Sequence, residues 1–337
     1  MSLRGQTARF LMGVLLLTVV SFTFSTCGGT GTDLAGGGSS GTGVSTGSIT
    51  EFGSVFMNGV EFFTDNNVAP GFVTMKTFMG MDNSSMMDRD LFHVGMVVTL
   101  RHGRNDNNAQ QIEYRDNLQG PVAAKHSGAD NTVTILGQTV VVDNAALFGS
   151  INLNEIAEVS GFVDSAGRIR ASYIAMVPCS MMMGICTASD FEVKGFVSGL
   201  TSSGFRLGLL PSGIGTTVTV SYPQPMGAGL DNGMYVQIVT TDPQPVSGVI
   251  SATGIQKLTP RTEFPNNAMA DLEGLVTSPP SGSGTVLSFA VEGKRVQTNG
   301  ATQYVGGAAA NLQPDVRVQV HGTEIGGVLS AGKIIFR

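Results

Sequence analysis

Five sulfur side chains crowd into eight residues of this 337-residue chain, at Cys179, Met181, Met182, Met183 and Cys186. Thiolates and thioethers are soft ligands that select Cu(I). Extended backbone works against a single ion there. Successive side chains on a strand point to opposite faces, so three consecutive methionines cannot all reach one metal. The competing chemistry is oxidation. With Cys27 set aside for a reason given below, two thiols remain, spaced C-x6-C. In an oxidising compartment an even leftover pair reads as a Cys179–Cys186 disulfide. By loop entropy such a bridge contributes on the order of 2–3 kcal/mol. A second soft group lies at Met79, Met81, Met86 and Met87, although methionine is also a common filler of core gaps.

Other chemistry-bearing residues are weaker candidates. The four histidines, His93, His102, His126 and His321, show no metal-ligand spacing. His102 and His321 fall at equivalent strand ends, each followed by glycine, and read as exposed turn residues. Asp82, Asp88 and Asp90 could offer oxygen ligands to calcium, but their spacing is not that of a calcium loop; a solvated loop is the plainer reading. Gly37-Gly38-Ser39-Ser40-Gly41 fits G-x-S-x-G. That motif needs a strand before it and a helix after it, and here it sits in a Gly/Ser tract. No catalytic residue is therefore assigned, no cofactor is expected, and an undetected hydrolase is the most distant reading.

Cys27 closes a different pattern. Arg4 and Arg9 precede a charge-free run, Phe10 to Phe24, which ends at Ser25-Thr26-Cys27. The run is shorter than the roughly 20 residues of a membrane span and has the length of a signal-peptide core. Small residues before a cysteine fit a bacterial lipoprotein signal, with Phe24 standing where leucine is usual. Residues 1–26 are thus expected to be a signal peptide, and Cys27 the acylated first residue of the mature chain. Gly28 to Gly47 is almost wholly Gly, Ser and Thr. It can bury very little, so 27–46 is expected to be a lipidated tether with a root-mean-square reach of roughly 25 Å. Glycine rather than aspartate after Cys27 favours the outer membrane of a bacterial envelope.

Composition removes other classes. After loss of the signal, 17 basic residues face 25 acidic ones, a net charge of −8. With no Trp and five Tyr, nucleic-acid binding through basic grooves and stacking aromatics is excluded. The same charge means that acyl chains, not electrostatics, must hold the chain at an anionic membrane. Glycine is high, at 46 residues, and charged residues make up only 13%, which points to short strands and many turns.

The body repeats. Gly47-Ser48-Ile49, Gly120-Pro121-Val122, Gly195-Phe196-Val197 and Gly274-Leu275-Val276 open four segments. Each is followed by a second apolar run. Three of these hold a two-residue turn signal: Asn58-Gly59, Leu136-Gly137 and Glu292-Gly293. Each segment then has an alternating strand, clearest at Val316, Val318 and Val320 against Arg317, Gln319 and His321. Each closes on a short strand ending in isoleucine. Such a unit has the size of a small closed β-barrel, which would leave no exposed edge.

Gly47 to Thr64, GSITEFGSVFMNGVEFFT, closely resembles the opening of a bacterial envelope family numbered 5666 among domains of unknown function. Leu118 to Val122, Thr134 to Val140 and Val159-Ser160-Gly161 are similar to it as well. The resemblance is strong over 47–176 and weaker, but in register, over 191–337. It implies tandem β-barrels of OB-like form and an envelope location, and it implies no activity.

The expectation is therefore an all-β chain of four tandem small OB-like barrels, at 47–116, 117–178, 191–260 and 261–337, with a Cys/Met linker at 179–190. Such an array would be a non-enzymatic binding or scaffolding lipoprotein. Its expected partners are the membrane, through the N-terminal lipid, and an envelope protein or glycan. A soft-metal protein using Cys179, Met181, Met182, Met183 and Cys186 is the alternative.

Overall fold

The computed structural model describes residues 43–103, 106–177, 181–182, 185–186 and 190–337, with backbone alone at 181–182 and 185–186. The described residues from 43 to 337 belong to one compact unit. Among the described residues, no helix is long and apolar enough to cross a membrane.

The expected hairpins form where the turn residues predict them. Met57 faces Val60, Ile135 faces Gln138 and Val291 faces Lys294, each pair closing a two-residue turn. Both turn residues have positive φ in all three: Asn58 and Gly59, Leu136 and Gly137, Glu292 and Gly293. This is the turn whose twist matches that of the flanking strands. Leucine and glutamate are uncommon at positive φ, so something must hold Leu136 and Glu292 there.

The glycines that open the repeats supply the hold. A Cβ on Gly274 would lie 2.3 Å from Cγ of Glu292, one on Gly120 2.8 Å from Cγ of Leu136, and one on Gly47 2.2 Å from Oδ1 of Asn58. The first turn residue of each hairpin thus lies on the bare backbone of its own repeat-opening glycine. The recurring glycine and the recurring turn are one packing device. Gly274→Ala is expected to lower stability by about 1–3 kcal/mol through overpacking, read as a lower urea midpoint; a shift of only a few tenths would show that the turn can move aside.

Pairing within each repeat follows one scheme. In the second repeat, Leu118–His126 pairs antiparallel with Thr132–Ile135 and with Ile156–Val163. Ile169–Met176 pairs antiparallel with Ile156–Val163 and parallel with Gln138–Val141. The third and fourth repeats reproduce this through Thr217–Ser221 with Val249–Leu258 and Lys294–Gln297 with Val328–Phe336, both parallel. In the first repeat an inserted strand, Met75–Phe78, takes the parallel place beside Ala109–Tyr114.

The all-β expectation holds, and the expectation of four tandem small OB-like barrels does not. The chain is wound as a β-solenoid of about seven turns, with about 6% helix. Pairing does not stop at the repeat. Gly43–Thr46 lies parallel to Met269–Leu272, joining the first repeat to the fourth. Leu118 and Gln119 pair with Val193 and Glu192, joining the second to the third. The strands therefore run on into sheets of 13 and 10 strands. Residues Gly43 to Thr46 belong to the first strand, with Val44, Ser45 and Thr46 buried.

The cores follow these joins. One apolar cluster spans the second and third repeats, from Leu118 to Ala252. The fourth repeat packs around Leu272, Val291 and Val320, and includes Val44 of the first. A small cluster of Val97, Phe162 and Leu275 brings the first, second and fourth repeats together. Met57 and Met96 fill the core of the first repeat.

Candidate functional site

The sulfur-rich segment contributes a hairpin. Met181 faces Cys186 and Met182 faces Ile185. Cys27, Cys179 and Met183 lie outside the described residues. In the second soft group, Met81, Met86 and Met87 are exposed while Met79 is half-buried against the core of the first repeat. Among the described residues, no group of three or more His, Cys, Asp and Glu side chains is placed to hold a metal ion.

The acidic group at 82–90 separates on folding. Asp82 accepts from Ser84. Asp88 faces Lys76 at 3.1 Å, and Asp65 pairs with the same ammonium at 2.5 Å. The cation among these carboxylates is thus a lysine, buried at 1% exposure. His321 pairs with Asp271, and the His102 ring lies 5.3 Å from that of Phe62.

The polar site that the fold does build lies where the repeats meet. A cavity of about 200 Å³ is lined by Val97, Thr99 and Arg101 from one strand of the first repeat and by Glu113, Arg115 and Asp116 from the end of the next. Lys194 and Tyr235 of the third repeat line it as well, as does the connection Thr259 to Glu263 leading into the fourth. Each element is fixed from behind. Val97 N–H donates to Ser160 Oγ at 3.0 Å, and Lys194 N–H to the Asn117 carbonyl at 3.1 Å. Thr46 Oγ1 donates to the Arg261 carbonyl at 3.0 Å.

Two buried ion clusters flank the cavity. In the first, the Lys194 ammonium pairs with Asp116 and, at 2.6 Å, with Glu192; Gln237 also donates to Glu192. Lys194 is 2% exposed and Asp116 is not exposed at all. Burial disfavours the ammonium, but the two carboxylates beside it hold its pKa above the usual lysine value. Burial also drives the Asp116 carboxyl well above the carboxylate range, with Lys194 opposing and Glu192 reinforcing. One ammonium thus serves two carboxylates, of which Asp116 is the fully buried one.

In the second cluster, Glu292 accepts from Arg261 at 3.0 Å and from the backbone N–H of Val163 at 2.9 Å. Burial raises its pKa, against the pull of Arg261. Arg261 also donates to the Gly161 carbonyl at 2.6 Å. The Tyr235 hydroxyl is raised by burial too, and its ring lies 4.9 Å from that of Phe196. These groups are engaged chiefly with one another and with backbone of the neighbouring repeats.

Reading the sequence for sulfur, histidine and acidic clusters passed over all of these residues. A signal was present in the repeat itself. The residue before each opening glycine is polar, at Thr46, Gln119, Lys194 and Glu273. Three of them are buried, at Thr46, Lys194 and Glu273. Glu273 accepts from Ser48 N–H at 2.9 Å and pairs with Arg317. A polar residue at a buried strand position needs a partner, and here one partner of each belongs to another repeat or to the connection: Asp116 for Lys194, Ser48 for Glu273 and the Arg261 carbonyl for Thr46.

Two segments of the chain match a family model, Domain of unknown function (DUF5666), over residues 119–175 and 273–335. The resemblance read from the sequence holds for those segments, which are the second and fourth repeats. The first and third repeats are those with the Met75–Met87 insert and the Pro-rich turns at Pro223, Pro225, Pro243 and Pro245. No curated protein matches the chain.

Proposed function

Starting from a chain in which two of four repeats carry a domain with no assigned activity, we propose a non-enzymatic binding lipoprotein of the bacterial envelope. An acylated Cys27 holds it to the outer membrane, and the repeats present a binding surface to an envelope protein or glycan. The observation that carries the binding half is the polar cavity, where Arg101, Arg115, Asp116, Lys194 and Glu263 converge from four stretches of the chain. Concave sites with a few placed polar groups are where ligands bind. The anchoring half rests on the charge-free run ending at Ser25-Thr26-Cys27 and on the Gly/Ser/Thr tract behind it.

Pairing between repeats also bears on how binding would work. Independent modules on one tether gain avidity through effective concentration. Repeats that share sheets and cores act as one body, so the reading favoured is a single composite site over four equivalent ones.

Two measurements test the proposal. Cys27→Ala is expected to move the protein from the membrane fraction to the soluble fraction; continued membrane association would count against acylation. Cross-linking of the native acylated protein in envelope membranes is expected to capture a reproducible protein or glycan partner. Recovery of lipid alone would remove the binding reading.

A further inference from the structure

Arg101 and Glu263 both line the cavity and are exposed. They are opposite in charge, yet neither has a side-chain partner among the described residues, and they do not pair with each other. The deeper charges are already engaged. Lys194 pairs with Asp116 and Glu192, Arg261 with Glu292, and Arg115 with Glu113 at 2.6 Å. The cavity thus presents one free cation and one free anion, at separate points of a single concave surface. The lining also includes apolar side chains, Val97 and Pro260.

We propose that this cavity binds a small zwitterionic molecule of the α-amino-acid class. Its carboxylate is taken by the guanidinium of Arg101, whose planar fork matches a carboxylate through two parallel hydrogen bonds. Its ammonium is taken by the carboxylate of Glu263. A molecule with a single charge satisfies only one of the two, and a neutral sugar leaves both desolvated charges without a counter-charge. About 200 Å³ of space limits the ligand to a free small molecule or the end of a larger one. The inference rests on the binding reading above and names the chemistry of its ligand.

The test is calorimetric titration of the full mature chain in detergent micelles. The probes are L-serine, L-leucine and L-glutamine, with acetate, methylammonium and glucose as controls. At least one amino acid is expected to bind with a Kd below about 1 mM, and the controls at least about tenfold more weakly. Arg101→Ala and Glu263→Ala should each weaken that binding by about tenfold or more, the scale of a lost charge-assisted hydrogen bond. Both side chains are exposed, so unchanged melting temperatures would show that the fold is kept. Three results overturn the inference: no amino acid binds, glucose binds as tightly as any amino acid, or binding survives in both variants. Partner capture by cross-linking would stand in each of those cases, so the two readings fail separately.

Discussion

Glu292→Ala is expected to lower the unfolding free energy by about 3–5 kcal/mol, the cost of breaking a buried ion pair from one side. The size follows from how many groups depend on that carboxylate. It is 3% exposed and receives Arg261. It also accepts from Val163 N–H of the second repeat and from Leu275 N–H of the fourth. Truncation leaves a guanidinium and two amides short of a partner where the second repeat, the fourth repeat and the connection into the fourth meet. It also removes the side chain lying over Gly274. Glu292→Gln keeps the shape and one acceptor oxygen, and should cost clearly less.

The pH dependence has a definite sign. Burial raises the folded pKa of Glu292 above its unfolded value. Such a group contributes stability that is complete below the unfolded pKa and is lost as pH rises through the folded one. The native protein should therefore gain on Glu292→Gln as pH falls from neutral toward 5. Urea midpoints at several pH values measure both effects. An alanine variant within about 1 kcal/mol of the native protein would refute the junction role.

Lys194→Met is expected to be comparably severe, at about 3–5 kcal/mol. Asp116 is fully buried and Glu192 mostly so, and Lys194 is their shared cation. Without it two carboxylates face each other in a site that already raises Asp116 through burial. Asp116 is then held buried at lowest cost with a proton bound. The folded pKa of Asp116, already raised by burial, would rise further without the opposing ammonium, so the variant loses stability as pH rises and recovers as pH falls. The deficit relative to the native chain should be larger at pH 7.5 than at pH 5. An equal deficit at both would mean that the loss is of packing and not of charge. A second replacement, Asp116→Leu on top of Lys194→Met, should restore part of the loss, because removing a whole buried pair is far less costly than orphaning half of it.

Much of the local structure was legible. The two-residue turns at Asn58-Gly59, Leu136-Gly137 and Glu292-Gly293 formed as their residues require. The alternating strands near 97, 157, 235 and 317 formed, as did the closing strands after them. Val318 and Val320 are buried while Arg317 and His321 are not; Gln319 departs from the alternation, being buried with its Oε1 accepting from Arg337. The candidate site was not legible in the same way. Asp116, Lys194, Arg261 and Glu292 are ordinary charged residues in sequence, separated by up to 176 positions. Nothing local distinguishes them from solvated strand residues. Met79, Met81, Met86 and Met87 have distinctive types, yet among the described residues none of them lines the cavity.

The sequence by itself determined an all-β chain, its fourfold order of strands, its turns and its glycine positions. These depend on period-two burial and on φ values that a few residues carry alone. Only the tertiary structure decided which strand edges join. Four similar repeats offer many edges with nearly equal local pairing energy, and a strand's own pattern does not say which neighbour will satisfy its second edge. Gly43–Thr46 lies between Val97–His102 and Met269–Leu272, and Leu118-Gln119 meets Glu192-Val193. Those joins replaced four separate barrels with a continuous winding. They also enclosed the charged residues of the repeat ends, which turned polar positions of no local distinction into a cavity.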